Sequence, residues 1–145
     1  ESVIKSQEKI VPPAEISAAL GIAAGDFAVK IERIRIADKI PFLYEIQYYS
    51  FTKFSGLLDL HIKGSMYQVL IDKFGIDLDH SIRTLQAVRP SKEIASRLMI
   101  SRDIPCIFYK SRAFNATGDC IEVLHSYYRG DRYIFQVETG SYVRT

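Results

Sequence analysis

FAVKIERIRIADKIPFLYEIQYYSF, residues 27–51, is the stretch whose reading decides the fold. Two β-prone runs, Phe27 to Ala37 and Ile40 to Phe51, flank Asp38-Lys39, a pattern that predicts a hairpin. Strand side chains alternate faces, so Phe27, Val29, Ile31, Arg33 and Arg35 share one side of the first strand. That face starts apolar and ends in two guanidinium groups. Charge on a half-buried face needs a partner, because unpaired burial costs several kcal/mol. Two guanidiniums in one place repel unless an anion lies between them, and the planar fork suits phosphate or carboxylate. Arg33 and Arg35 are therefore candidates for a small-molecule anion site. On spacing alone, a surface ion network with Glu32, Glu45 or Asp38 explains them equally well. Glu45 lies on the partner strand. A three-residue loop sets it opposite Arg33 on the same face, and a two-residue loop sets it on the other.

Outward from the hairpin, the chain reads as one domain of mixed elements. Residues 1–12 mix charge with β-branched side chains and look like a linker, ended by Pro12-Pro13; residues 13–145 form the domain. Ala14 to Leu20 reads as a short helix stopped by Gly21. Phe54 to Leu60 is a short helical piece. In Ser65 to Phe74, Met66, Val69, Leu70 and Phe74 recur at helical spacing, Gly75 stops the run, and Ser65 with Gln68 makes a capping-box signature. Leu78 to Val88 is strand-like, and Ser91 to Met99 is a helix with Ser91 as its cap. Three strand-like runs follow: Pro105 to Ala116, Cys120 to Tyr128, and Tyr133 to Thr139. The expected class is α+β, a mostly antiparallel six-stranded sheet flanked by helices.

Bulk composition excludes several classes. At 145 residues the chain has the size of one domain, enough to bury roughly two-thirds of its unfolded surface. Apolar residues at 48% and charged residues at 25% are ordinary globular values. A net charge of +2, without basic runs, advertises no nucleic-acid face in this segment. No apolar stretch is long enough for a membrane helix, and no signal-peptide pattern opens the chain. The first residue is Glu1, which fits a segment downstream of a missing region. Cys106 and Cys120 sit far apart on adjacent runs, so no disulfide is expected, and free thiols fit a reducing, cytoplasmic setting.

Catalytic and metal signals are thin. His61, His80 and His125 are isolated, with no second ligand at metal spacing, and no phosphate-binding glycine loop or nucleophile elbow occurs. Neither a metal, a cofactor nor a catalytic residue is expected. Ser65 and Tyr67 open a helix, where free backbone N–H groups and a partial positive charge receive phosphate. As a plain cap and a plain aromatic, the two residues have equally ordinary readings.

Taken together, Ile31 to Asp38, Pro41, Glu45 to Tyr49, Gly64 to Leu70, Phe74-Gly75-Ile76 and Tyr127 to Phe135 resemble the UTRA domain. This is the effector-sensing domain of GntR-type bacterial transcription regulators of the HutC kind. The resemblance covers about Leu20 to Phe135. It implies a chorismate-lyase-like fold, a non-enzymatic role, a homodimer, and an N-terminal winged helix-turn-helix, absent here, through which DNA is bound. Relatives that answer to amino-sugar phosphates imply a site of Arg33 and Arg35 with Ser65 and Tyr67 on the phosphate. Glu45 and Glu122 would hold the sugar hydroxyls, with Tyr128 near the pocket. Lys39 departs from the glycine common at that hairpin position. Two rival readings stand beside this one. A chorismate-lyase-like enzyme would clamp an aromatic acid; a dimerisation module with a vestigial pocket would have Arg33 bonded only to protein carboxylates.

Overall fold

The computed structural model describes residues 1–141; the last four residues of the expected domain, 142–145, lie outside the described residues. Six strands form one sheet in the order β1-β2-β3-β6-β5-β4, and every neighbouring pair is antiparallel. The strands are β1 (Ser2–Ile10), β2 (Ala28–Ala37), β3 (Ile40–Ser50), β4 (Leu78–Val88), β5 (Cys106–Asn115) and β6 (Cys120–Arg129). The α-helices are α1 (Ala14–Leu20), α2 (Phe51–Phe54), α3 (Met66–Phe74) and α4 (Lys92–Leu98), with a 3-10 turn over Ser55–Asp59. The class and the six-strand count match the expectation, but one strand is a different segment.

Residues 2–10, expected to be part of a linker, are edge strand β1, paired along β2 from Ser2↔Arg35 to Ile10↔Ala28. An edge strand needs only one apolar side, and charges such as Lys5, Glu8 and Lys9 blunt its free edge. That composition reads as a connector when no partner is in view. Tyr133 to Thr139, expected as a strand, is not one. It follows β6, which is already paired on both sides by β3 and β5, so no free edge is within reach of the turn at Gly130-Asp131.

The sheet is covered on both faces. On one side α2, the 3-10 turn and α3 enclose a core of Val29, Ile31, Tyr49, Phe54, Leu57, Ile62, Met66, Leu70 and Ile121. On the other, α1 packs with Ala28, Tyr48 and Val123, and α4 places Leu98 with Ile34, Tyr44 and Cys106. Both cysteines are free, and neither pairs with the other across the ladder. Among the described residues no helix is long and apolar enough to cross a membrane.

β1 is tied to the covering layer by one side chain. The Gln7 amide nitrogen donates to the carbonyls of Leu57 and Leu60, the latter at 3.0 Å. Gln7→Ala leaves two partly buried carbonyls without that donor, so it should cost about 1–2 kcal/mol in urea unfolding. Unchanged stability would mean that β1 does not belong to the folded unit.

Candidate functional site

The β2–β3 ladder builds the centre of the site. The turn is the two-residue Asp38-Lys39, with φ of 51° and 64° at those positions and Ala37 opposite Ile40. Positive φ at both turn residues matches the right-handed twist of a hairpin and is costlier for lysine than for glycine. Such a loop alone would turn Glu45 away from Arg33. A bulge restores the register: Ile36 pairs with Pro41 but Arg35 pairs with Leu43, leaving Phe42 as the extra residue. Arg33 therefore lies directly opposite Glu45, on the same face.

Both arginines meet that one carboxylate. Arg33 Nη2 is 3.7 Å from Glu45 Oε2, and Arg35 Nη1 is 3.3 Å from Glu45 Oε1. Arg33 is only 2% exposed, whereas the Arg35 side chain is 36% exposed at the cleft mouth. Arg33 Nη1 also donates to the Gly64 carbonyl at 2.6 Å. Gly64 has φ +71°, a left-handed conformation that an L side chain would strain. Arg33 Nε and the Gln47 side-chain oxygen are buried without a protein partner.

Helix α3 supplies the roof. Ser65 is its cap, its hydroxyl accepting from the Gln68 N–H at 3.4 Å. The reciprocal half of the expected capping box is absent, because the Gln68 side chain instead donates to Asp72 at 2.8 Å. The first intrahelical bond is Val69 N–H to the Ser65 carbonyl at 3.3 Å, so the Met66 and Tyr67 amides come before it and face the cleft end of the helix dipole. Met66 and Leu70 bury the underside of α3 in the core with Val29 and Ile31, and this fixes the helix tip over β2.

A cleft of about 280 Å³ results, lined by Arg33, Arg35, Glu45, Ser65, Tyr67 and Glu122 among the sequence candidates. Tyr128, the seventh, does not line it. It shares the sheet face and packs in an aromatic group, its ring 4.3 Å from that of Tyr133 and 4.9 Å from that of Phe135. Burial pushes its hydroxyl up to about 12, with Tyr133 and Glu45 adding to the shift. Gln47, Met66 and Leu78 line the cleft without having been singled out from sequence. Gln47 was within reach of strand parity, since it shares a face with Glu45; Leu78 comes from a distant strand and carried no signal.

Glu122 forms the far wall. It keeps a strip of surface on the cleft while its carboxyl group is enclosed, accepting a hydrogen bond from the Tyr49 hydroxyl. Burial raises its pKa, the Tyr49 bond opposes that, and the Glu45 charge adds to it. The Tyr49 hydroxyl is pushed well up, first by burial and then by Glu122. Among the described residues, no group of three or more His, Cys, Asp or Glu is placed to hold a metal. The arrangement offers fixed cations at one end, a helix tip above them, and a carboxyl acceptor opposite.

The UTRA domain model matches residues 1–134. The chain is 29% identical over 121 residues to the HTH-type transcriptional repressor NagR of Bacillus subtilis, covering 83% of this chain and half of that protein. The ligand-binding domain assigned to a GntR-family transcriptional regulator of Bordetella bronchiseptica superposes with a TM-score of 0.90 at 26% identity, over 97% of this chain and 92% of that one. A GntR-family regulator from Enterococcus faecalis gives 0.85 at 27% identity, over 96% and 100%. The effector domain of PhnF from Mycobacterium smegmatis shares the fold, with a TM-score of 0.89 at 20% identity, over 97% and 86%. The chain belongs to the UTRA family, the effector-binding domains of GntR-type transcription regulators.

Proposed function

We propose that the cleft binds a small anionic effector, a phosphorylated sugar or amino sugar. In the longer, homodimeric regulator, that event modulates DNA binding by an N-terminal winged helix-turn-helix. The observation that carries this reading is the pair of guanidiniums sharing a single carboxylate beneath a helix tip. An anion entering there takes the charge that Glu45 alone balances in its absence, and gains the free amides of α3. Charged hydrogen bonds contribute about 1.5–3 kcal/mol each, so four such contacts suffice for micromolar affinity after ordering costs. Arg33 is bonded to a backbone carbonyl as well as to Glu45, and its Nε is unpartnered, which favours a binding site over a vestigial pocket.

The route to the rest of the protein runs along β1. Ile4 pairs with Arg33, and the β1 ladder is irregular between Ile4 and Ser6, beside the site. The Glu1 carbonyl accepts from the Ile36 N–H at 2.9 Å. A ligand that repositions the guanidiniums therefore acts on the strand that leads toward the DNA reader. For this to change DNA binding, the ligand must prefer one arrangement of that strand over another.

Two results test the reading. In thermal-shift titrations, sugar phosphates should stabilise the protein and their unphosphorylated counterparts should not. Arg35→Ala should abolish the shift while leaving the fold intact. Equal stabilisation by both ligand sets would remove the anion from the site. Arg33→Ala is a poorer probe, because stripping one partner from a buried pair costs about 3–5 kcal/mol.

The second result concerns Glu122. Its raised pKa means that the folded protein holds a proton in a range where the unfolded chain has released it, so stability falls as pH rises through that window. Glu122→Gln keeps an acceptor for Tyr49 and removes the charge. Its melting temperature relative to wild type should climb as pH rises above the ordinary carboxylate range. A difference that stays flat with pH would contradict the enclosed carboxyl.

A further inference from the structure

A second hollow of about 340 Å³ adjoins the arginine cleft and shares Tyr67, Leu78 and Glu122 with it. The two are lobes of one cleft running across the sheet, and the second is lined by Arg83 and Ser81 of β4 and Tyr109 of β5. The ladder puts Arg83 on the same face as the first lobe: it pairs with Ser111, which pairs with Leu124, then Gln47, then Ile31. Ile31 is two residues from Arg33. The two arginine-bearing ends of the cleft thus face each other along neighbouring rungs.

Arg83 is held by uncharged neighbours rather than by a direct ion pair. Its Nε donates to Ser81 Oγ at 2.9 Å, and its guanidinium carbon lies 5.7 Å from the centre of the Tyr109 ring. Among the described residues it forms no ion pair. Asp79, an acid in the same lobe, is engaged with His80 Nδ1 at 2.7 Å. Four strand spacings separate β2 from β4, about 19 Å of sheet. Arg83 lies by Tyr109 of β5, while Arg33 and Arg35 both meet Glu45 of β3, so the guanidiniums lie inward of the two strands that carry them.

We infer that Arg83 is a specificity-determining residue of the effector site, whose guanidinium receives an anionic or strongly accepting group at the end of the ligand opposite its phosphate. This rests on the proposed phosphate site at Arg33 and Arg35. It adds that the effector is bifunctional, with two acceptor ends spanned by a hydroxylated middle that meets Glu122. A ligand with a hydroxyl at the far end loses the ion pair with Arg83 but keeps the phosphate contacts.

Glucose-6-phosphate and 6-phosphogluconate test this directly. They share the phosphate end, while the second carries a carboxylate at the other. In calorimetric titrations the wild-type chain should bind 6-phosphogluconate about tenfold more tightly or better. Arg83 is exposed, so Arg83→Ala should melt as wild type does. It should erase the preference for the acid and leave glucose-6-phosphate affinity unchanged. If glucose-6-phosphate binds but the acid has no advantage, or Arg83→Ala weakens both ligands equally, the role of Arg83 is overturned while the phosphate site stands. Binding of neither compound would overturn the phosphate site and this inference with it.

Discussion

The sharing of one carboxylate by two arginines across the β2–β3 ladder is the constraint on which the cleft depends. Glu45 lies opposite Arg33 and between the two guanidiniums, so their mutual repulsion is offset by a single charge. Burial makes this consequential: Arg33 is almost fully enclosed, and a desolvated charge tolerates neither the loss nor the displacement of its partner without another anion to replace it. The fold thus holds open a place with one more positive charge than it neutralises.

Local devices carry that centre. The bulge at Phe42 turns Glu45 to the correct face despite a two-residue turn, and the left-handed Gly64 presents its carbonyl to Arg33. Helix α3 is anchored through Met66 and Leu70, so its tip is fixed by the core rather than by its own propensity. Gln7 fastens β1 to the layer that precedes α3. The same strand runs beside Arg33, which makes the edge of the sheet a physical neighbour of the site rather than a tether.

Much of this was legible in the residues. Strand parity put Arg33 and Arg35 on one face, and the helix-start pattern put Ser65 and Tyr67 at a helix tip; six of the seven candidates line the cleft. What parity could not show was register. The loop length pointed one way and the bulge another, and nothing local distinguishes Phe42 as the extra residue. β1 was hidden because an edge strand is amphipathic and charged, and its identity depends on a partner eighteen or more residues away. Tyr133 to Thr139 has the composition of a strand but follows a strand whose two edges are taken. Tyr133 and Phe135 of that segment pack their rings against Tyr128, which shares the sheet face but is not among the residues lining the cleft. Arg83 stood alone in the sequence, and only the six-strand order brings it to the far end of the same cleft.

The most direct measurement is a crystal structure of the chain grown with a sugar phosphate. The expected result is a phosphorus atom bonded through its oxygens to Arg33, Arg35 and the amides that follow Ser65, with Glu45 turned away from at least one guanidinium. A structure in which both arginines stay closed on Glu45 while the phosphate sits elsewhere would contradict the assignment of this cleft as the effector site.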